Sequence, residues 1–181
     1  MIMTKARSSN TVQLALAAMC TALTVVATMI VRVPAVGTGG YINLGDAAVL
    51  LTAWFLGGWY GAAAAGLGSA LADVFAGYAL YAPGTFVIKF LMALVAWQMV
   101  RERSRQNWYW YLLAAVLAEV IMVGGYFLYE STLLRFSWGA AASVPGNGVQ
   151  GVTGLALALL LNEVLGRVPA VQQWKDTNHH V

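Results

Sequence analysis

Apolar residues run along this chain in stretches long enough to cross a bilayer, and short polar segments interrupt them. Thr11 to Val31 carries no charge and ends at Arg32-Val33-Pro34, after which comes a glycine-rich loop from Gly37 to Asp46. From Ala47 to Ala72 there is again no charge, and Gly57-Gly58 divides the stretch. That run is long for one span and slightly short for two, so it predicts two tilted or short helices joined at Gly57-Gly58-Trp59. A fourth helix stops at the polar segment Arg101 to Asn107. Trp108, Tyr109, Trp110 and Tyr111 then open a fifth helix as an interfacial aromatic belt. The expected helices fall at about residues 11–32, 46–57, 59–78, 85–100, 108–129 and 145–165.

The positions of Lys and Arg orient these spans. Lys5, Arg7, Arg101, Arg103, Arg105, Arg167 and Lys175 fall on one side, which the positive-inside rule makes cytoplasmic. Arg32, Lys89 and Arg135 lie on or toward the other side. The expectation is an all-α integral membrane protein: one membrane domain over 1–181, a compact bundle of six transmembrane helices, both termini cytoplasmic. The first apolar run exceeds the 7–15 residues of a signal-peptide core, so it reads as a membrane helix.

Composition agrees: the chain is 60% hydrophobic and 9% charged, with a mean hydropathy of +0.71. Its net charge of +3 does not point to nucleic acid, because the basic residues flank apolar runs instead of forming a stripe. A lone Cys20 excludes an intramolecular disulfide or a cysteine metal cluster, and His179 and His180 sit in a polar tail. No G-x-x-x-x-G-K-[ST], HExxH or GxSxG motif occurs, so neither ATP-driven chemistry nor hydrolysis is expected of this chain, and no cofactor.

Against that background four residues stand out: Asp46, Asp73, Lys89 and Glu119 lie within or at the edge of the apolar runs. A charge at membrane depth costs roughly 2.5–3.5 kcal/mol on insertion scales, so it faces protein or a watery cavity. Threaded through six spans, all four fall in the outer half or the middle of the membrane. Asn43, Asn147 and Gln150 lie near the same outer ends, Tyr41, Tyr78 and Tyr81 lie in the adjoining loops, and Tyr126 lies about two turns above Glu119. Each also has a structural reading. Asp73 and Lys89 would pair and lock helices three and four, Asp46 and Asn147 would cap helices, and Glu119 would bond a neighbouring helix. Together, acceptors, one cation, amides and phenols around a shallow cavity suit a small polar aromatic ligand.

Small residues recur at helical spacing. Ala18 and Ala22, like Ala17 and Thr21, share a face of the first helix, and Gly61, Ala65 and Ser69 form a ridge on the third. Membrane helices associate closely at such positions, within the bundle or with a partner.

Over about residues 13 to 165 the chain resembles the substrate-binding membrane subunit (S component) of energy-coupling factor (ECF) vitamin transporters. The resemblance rests on Gly40-Tyr41-Ile42-Asn43-Leu44-Gly45-Asp46, Phe55 to Gly61, Gly68-Ser69-Ala70-Leu71-Ala72-Asp73, Gly77-Tyr78 and Thr85 to Lys89. This ordered set is similar to the branch of hydroxymethylpyrimidine and pyridoxine binders. The resemblance implies a bacterial plasma-membrane protein that captures such a vitamin from outside, under a lid formed by the loop after helix one. It implies as partners a transmembrane coupling subunit and two ATP-binding-cassette ATPases, with Ala18 and Ala22 as the docking face. Tyr41 and Asn43 would belong to the lid, and Lys89 and Gln150 would donate hydrogen bonds. Asp73 or Glu119 would accept them, and Tyr78, Tyr81 and Tyr126 would stack on the ring or bond its hydroxyls. The alternative is a stand-alone secondary transporter or a ligand-free packing subunit, although no internal repeat favours the former.

Overall fold

The structure, a computed structural model, describes residues 10–34, 40–101 and 107–178, with side chains as far as 173 in the last helix. The flanking Lys5, Arg7, Arg103 and Arg105, the start of the glycine-rich loop at Gly37-Thr38-Gly39, and His179-His180 lie outside the described residues. Seven α-helices are described: α1 (Asn10–Ile30), α2 (Gly45–Phe55), α3 (Gly58–Phe75), α4 (Ala82–Val100), α5 (Trp108–Thr132), α6 (Val144–Leu165) and α7 (Pro169–Asn178). A 3-10 helix, Ser137–Ser143, leads into α6. The loop after α1 is not wholly irregular. β1 (Arg32–Pro34) and β2 (Tyr41–Asn43) pair antiparallel, with Val33 opposite Ile42.

Among the described residues, four stretches are long and apolar enough to cross a membrane: Asn10–Ile30, Ala82–Val100, Trp108–Thr132 and Ser137–Leu165. Their outward faces are apolar, with Leu23 63% and Val152 70% exposed. Water would penalise so much exposed hydrocarbon, whereas lipid does not. The polar residues are inside: Gln13, Thr24 and Thr28 of α1, and Asp46, Asp73, Lys89, Glu119 and Gln150 deeper in the bundle, are all buried.

The short α2 is the core element. At 1.5 Å per residue its eleven residues reach about 16 Å, well short of a roughly 30 Å hydrocarbon layer. It packs against α4 and α6, and it buries Ala47, Val49, Leu50, Thr52, Ala53 and Trp54. Alanines Ala93, Ala96, Ala114, Ala115, Ala118 and Ala158 let the long helices close around it. Trp54 meets Tyr111 edge to face at 5.2 Å. The chain leaves α2 through Gly57 and Gly58, both in the left-handed region, where a β-carbon on Gly57 would lie 2.5 Å from the Trp97 ring.

α3 lies between α1 and α4. On the α1 side, a β-carbon on Gly68 would come within 2.7 Å of the Thr21 carbonyl, and the Thr21 hydroxyl bonds the Ala17 carbonyl at 2.9 Å. On the α4 side, Gly66 approaches the Phe86 carbonyl in the same way. The two small-residue pairs of α1 therefore part company: Ala17 and Thr21 pack inside, while Ala18 and Ala22 are exposed.

A chain of polar contacts crosses this core. Asp46, in the first turn of α2, takes the Lys89 ammonium of α4 on Oδ1 and the Gln150 amide of α6 on Oδ2 at 2.7 Å. Gln150 Oε1 accepts the Asn43 backbone N–H at 2.8 Å, and Asn43 Oδ1 accepts that of Gly45 at 2.8 Å. Two expectations are thereby corrected. Lys89 pairs with Asp46 and not with Asp73, because α2 sits between α4 and α6 and brings its first turn level with Lys89. Asp46 does not cap α2 either, since its carboxylate is held by Lys89 and Gln150 and Asn43 serves the free amide. Asn147 is likewise no cap, as α6 begins at Ser143-Val144 without a side-chain cap.

Removing one partner of a buried pair strands the other, at a cost of about 3–5 kcal/mol. Lys89→Met should therefore lower unfolding stability in detergent by about that amount. Adding Asp46→Asn, which still accepts from Gln150, should restore most of it.

Candidate functional site

A small, partly open cavity lies where the β1–β2 hairpin meets the ends of α3, α4, α5 and α6. Gly40, Tyr41 and Asn43 line it from the hairpin and Asp73 from α3. Tyr81 comes from just before α4 and Thr85 from its first turn, Tyr126 and Glu130 from α5, Ser143 from the end of the 3-10 helix, and Asn147 and Gln150 from the first turns of α6. Helix ends supply most of these groups, because there the backbone itself is not consuming every polar partner.

Two tyrosine–carboxylate pairs flank the space. The Tyr41 hydroxyl donates to Asp73 Oδ1 at 2.8 Å, while Asp73 Oδ2 is buried with no hydrogen-bond partner. Burial first, and then the Asp73 charge, push the Tyr41 phenol well above its usual range, so it keeps the proton it donates. Opposite, the Tyr81 hydroxyl donates to Glu130 Oε1 at 3.1 Å, and Glu130 Oε2 accepts the Ser143 hydroxyl. Glu130 is as deeply buried as Gln150. Tyr126 and Thr85 share a hydrogen bond of 2.9 Å.

The structure brings seven of the sequence-derived residues to this wall: Tyr41, Asn43, Asp73, Tyr81, Tyr126, Asn147 and Gln150. Four are placed elsewhere. Tyr78 lies against Tyr41, ring centroids 4.6 Å apart and planes tilted by 39°. Asp46 and Lys89 form the ion pair beneath the cavity, with Lys89 5.5 Å from the Tyr126 ring centroid, so Lys89 is engaged and does not line the space. Glu119 is 7% exposed, and neither of its oxygens has a hydrogen-bond partner. The interhelical bond expected for it is absent, because it faces Gly151, which has no side chain to offer.

Sequence reasoning missed Gly40, Thr85, Glu130 and Ser143. Glu130 was readable, since it stands four residues after Tyr126 on one helical face. Placing the end of the helix at about residue 129 hid that relation. Thr85 bears the same relation to Lys89. Nothing in the sequence signalled Ser143, whose place depends on the 3-10 turn.

The chemistry available is recognition: aromatic rings, amides and two carboxylates around a concave space at one end of an apolar bundle. Among the described residues no group of three or more His, Cys, Asp or Glu could hold a metal.

Residues 8–167 match the family described as ECF-type riboflavin transporter, S component. A protein of Pyrococcus woesei described as "Uncharacterized protein in gap 3'region" is 37% identical over 141 residues, which is 77% of this chain and 92% of that protein. S components are vitamin-binding subunits that work with a coupling subunit and ATPases. With the family match running from α1 through α6, the chain belongs to the S-component family of ECF-type transporters.

Proposed function

We propose that this chain captures a small hydroxylated heteroaromatic vitamin, of the pyridoxine or hydroxymethylpyrimidine type, from outside the cell. It delivers that vitamin with a coupling subunit and two ATPases. The observation that carries the reading is the cavity under the hairpin: a polar, tyrosine-walled space in a bundle whose exterior is apolar. The family description favours a second reading, riboflavin.

In this proposal α1–α6 all cross the plasma membrane, with α2 and α3 doing so in short or tilted form. Arg101 and Arg167 mark the cytoplasmic end, and Arg32 and Arg135 the hairpin end. Gly40–Asn43 then forms the lid on the external side. The docking face is the exposed side of α1, where Ala18 and Ala22 lie among Leu14, Met19, Leu23 and Val26. Small residues in an otherwise bulky apolar surface make a groove that another membrane helix fits.

The direct test is thermal unfolding of the full-length protein in detergent with pyridoxine, hydroxymethylpyrimidine and riboflavin. A vitamin at a hundred times its dissociation constant should stabilise the fold by about 2.7 kcal/mol. A folded protein that none of the three shifts would contradict the reading. For the docking face, Ala18→Trp with Ala22→Trp should cut recovery of the assembled transporter at least about tenfold, a loss of about 1.4 kcal/mol. Vitamin binding by the isolated subunit should be unchanged.

A further inference from the structure

Resting on the reading of this cavity as a vitamin site, an account of its protons narrows what it takes. Each phenol has one proton, and two of the three phenols lining the cavity have given theirs to a carboxylate, Tyr41 to Asp73 and Tyr81 to Glu130, while the third, Tyr126, shares one hydrogen bond with Thr85. A phenol so committed offers only lone pairs to anything else nearby. The Ser143 hydroxyl, also with one proton, has Glu130 Oε2 and the Ala140 carbonyl as acceptors. Gln150 is engaged at both ends, its carbonyl by the Asn43 amide and its NH₂ by Asp46.

The charges lean the same way. Asp73 and Glu130 line the cavity, whereas no cation among the described residues does. The nearby ammonium, Lys89, is held by Asp46. Asp73 Oδ2 is the unsatisfied member of the set: it belongs to a side chain 5% exposed and has no donor. A buried carboxylate oxygen without a donor is costly to leave alone, and a second anion beside it would be worse.

From these positions we infer that the cavity selects a nitrogen heterocycle carrying an amino group, uncharged or protonated, whose N–H reaches Asp73 Oδ2. Forms bearing a carboxylate or phosphate are rejected. The ring lies between Tyr41 and Tyr126, its N–H edge toward α3, and Glu130 on the far wall extends the exclusion of anions. A site built to receive a donor discriminates strongly against an analogue that presents an acceptor there, because two acceptors then face each other.

Calorimetric titration of the full-length protein in detergent tests this with three probes. These are 4-amino-5-hydroxymethyl-2-methylpyrimidine, its 4-oxo analogue, and its 5-phosphate ester. The amino compound should bind at least about a hundredfold more tightly than either of the others. Asp73→Asn keeps the acceptor for Tyr41 and places an NH₂ where Oδ2 was, so the preference between amino and oxo forms should fall about a hundredfold or reverse. If that variant fails to fold, Glu130→Gln supplies the second reading, a narrowed gap between the amino compound and its phosphate. Equal binding of amino and oxo forms, or of the phosphate, would overturn the inference and leave the vitamin-binding reading standing. So would binding of pyridoxine or riboflavin without the aminopyrimidine. Binding of none of these by folded protein would overturn both.

Discussion

One carboxylate holds the bundle together at its polar centre. Asp46 joins α2 to α4 through Lys89 and to α6 through Gln150, and Gln150 passes the connection to the hairpin through the Asn43 amide. In a low-dielectric interior such a network is costly when partly satisfied and specifying when complete. Its geometry needs Gly154, where a β-carbon would stand 2.7 Å from that of Asp46. The short α2 can therefore sit at one depth only, where its first turn meets Lys89.

The site is a consequence of that arrangement. With Lys89 drawn down to Asp46, the wall above is left with carboxylates and phenols, and Tyr126 stands between the ammonium and the space. The hairpin is fastened twice, by Asn43 to Gln150 and by Tyr41 to Asp73. The second contact is made by a residue of the cavity wall itself. A ligand that takes hold of Asp73 thus acts on the lid as well as the wall, which couples capture to closure. The exterior carries a different instruction: large apolar side chains face outward on the long helices, and on α1 the exposed Ala18 and Ala22 interrupt them.

The sequence exposed the residue types of this site more clearly than their partners. Charges inside apolar runs identified Asp46, Asp73, Lys89 and Glu119 because bilayer energetics leaves few reasons for them. Which of them pair was not legible, since that depends on the depth of α2. A short helix flanked by glycines has no periodic pattern from which depth can be read. Glu130 escaped for a different reason: it stands at a helix end, where a charge is unremarkable, and only the extension of α5 to Thr132 turns it inward. The β1–β2 pairing was hidden because three-residue strands around glycines carry almost no alternation. The division of α1 into a packed face and an open one was half visible: small-residue spacing named both pairs, but only the fold shows that Ala17 and Thr21 belong to α3.

The proposed function requires the space under the hairpin to hold a single small molecule. Mass spectrometry of the protein released intact from detergent micelles, in the presence of a heteroaromatic vitamin that shifts its melting, asks this directly. One molecule bound per chain is expected, and its loss in Asn147→Trp, where an indole fills the cavity from α6. A folded Asn147→Trp protein that retains the same occupancy would contradict it, since the ligand would then sit elsewhere.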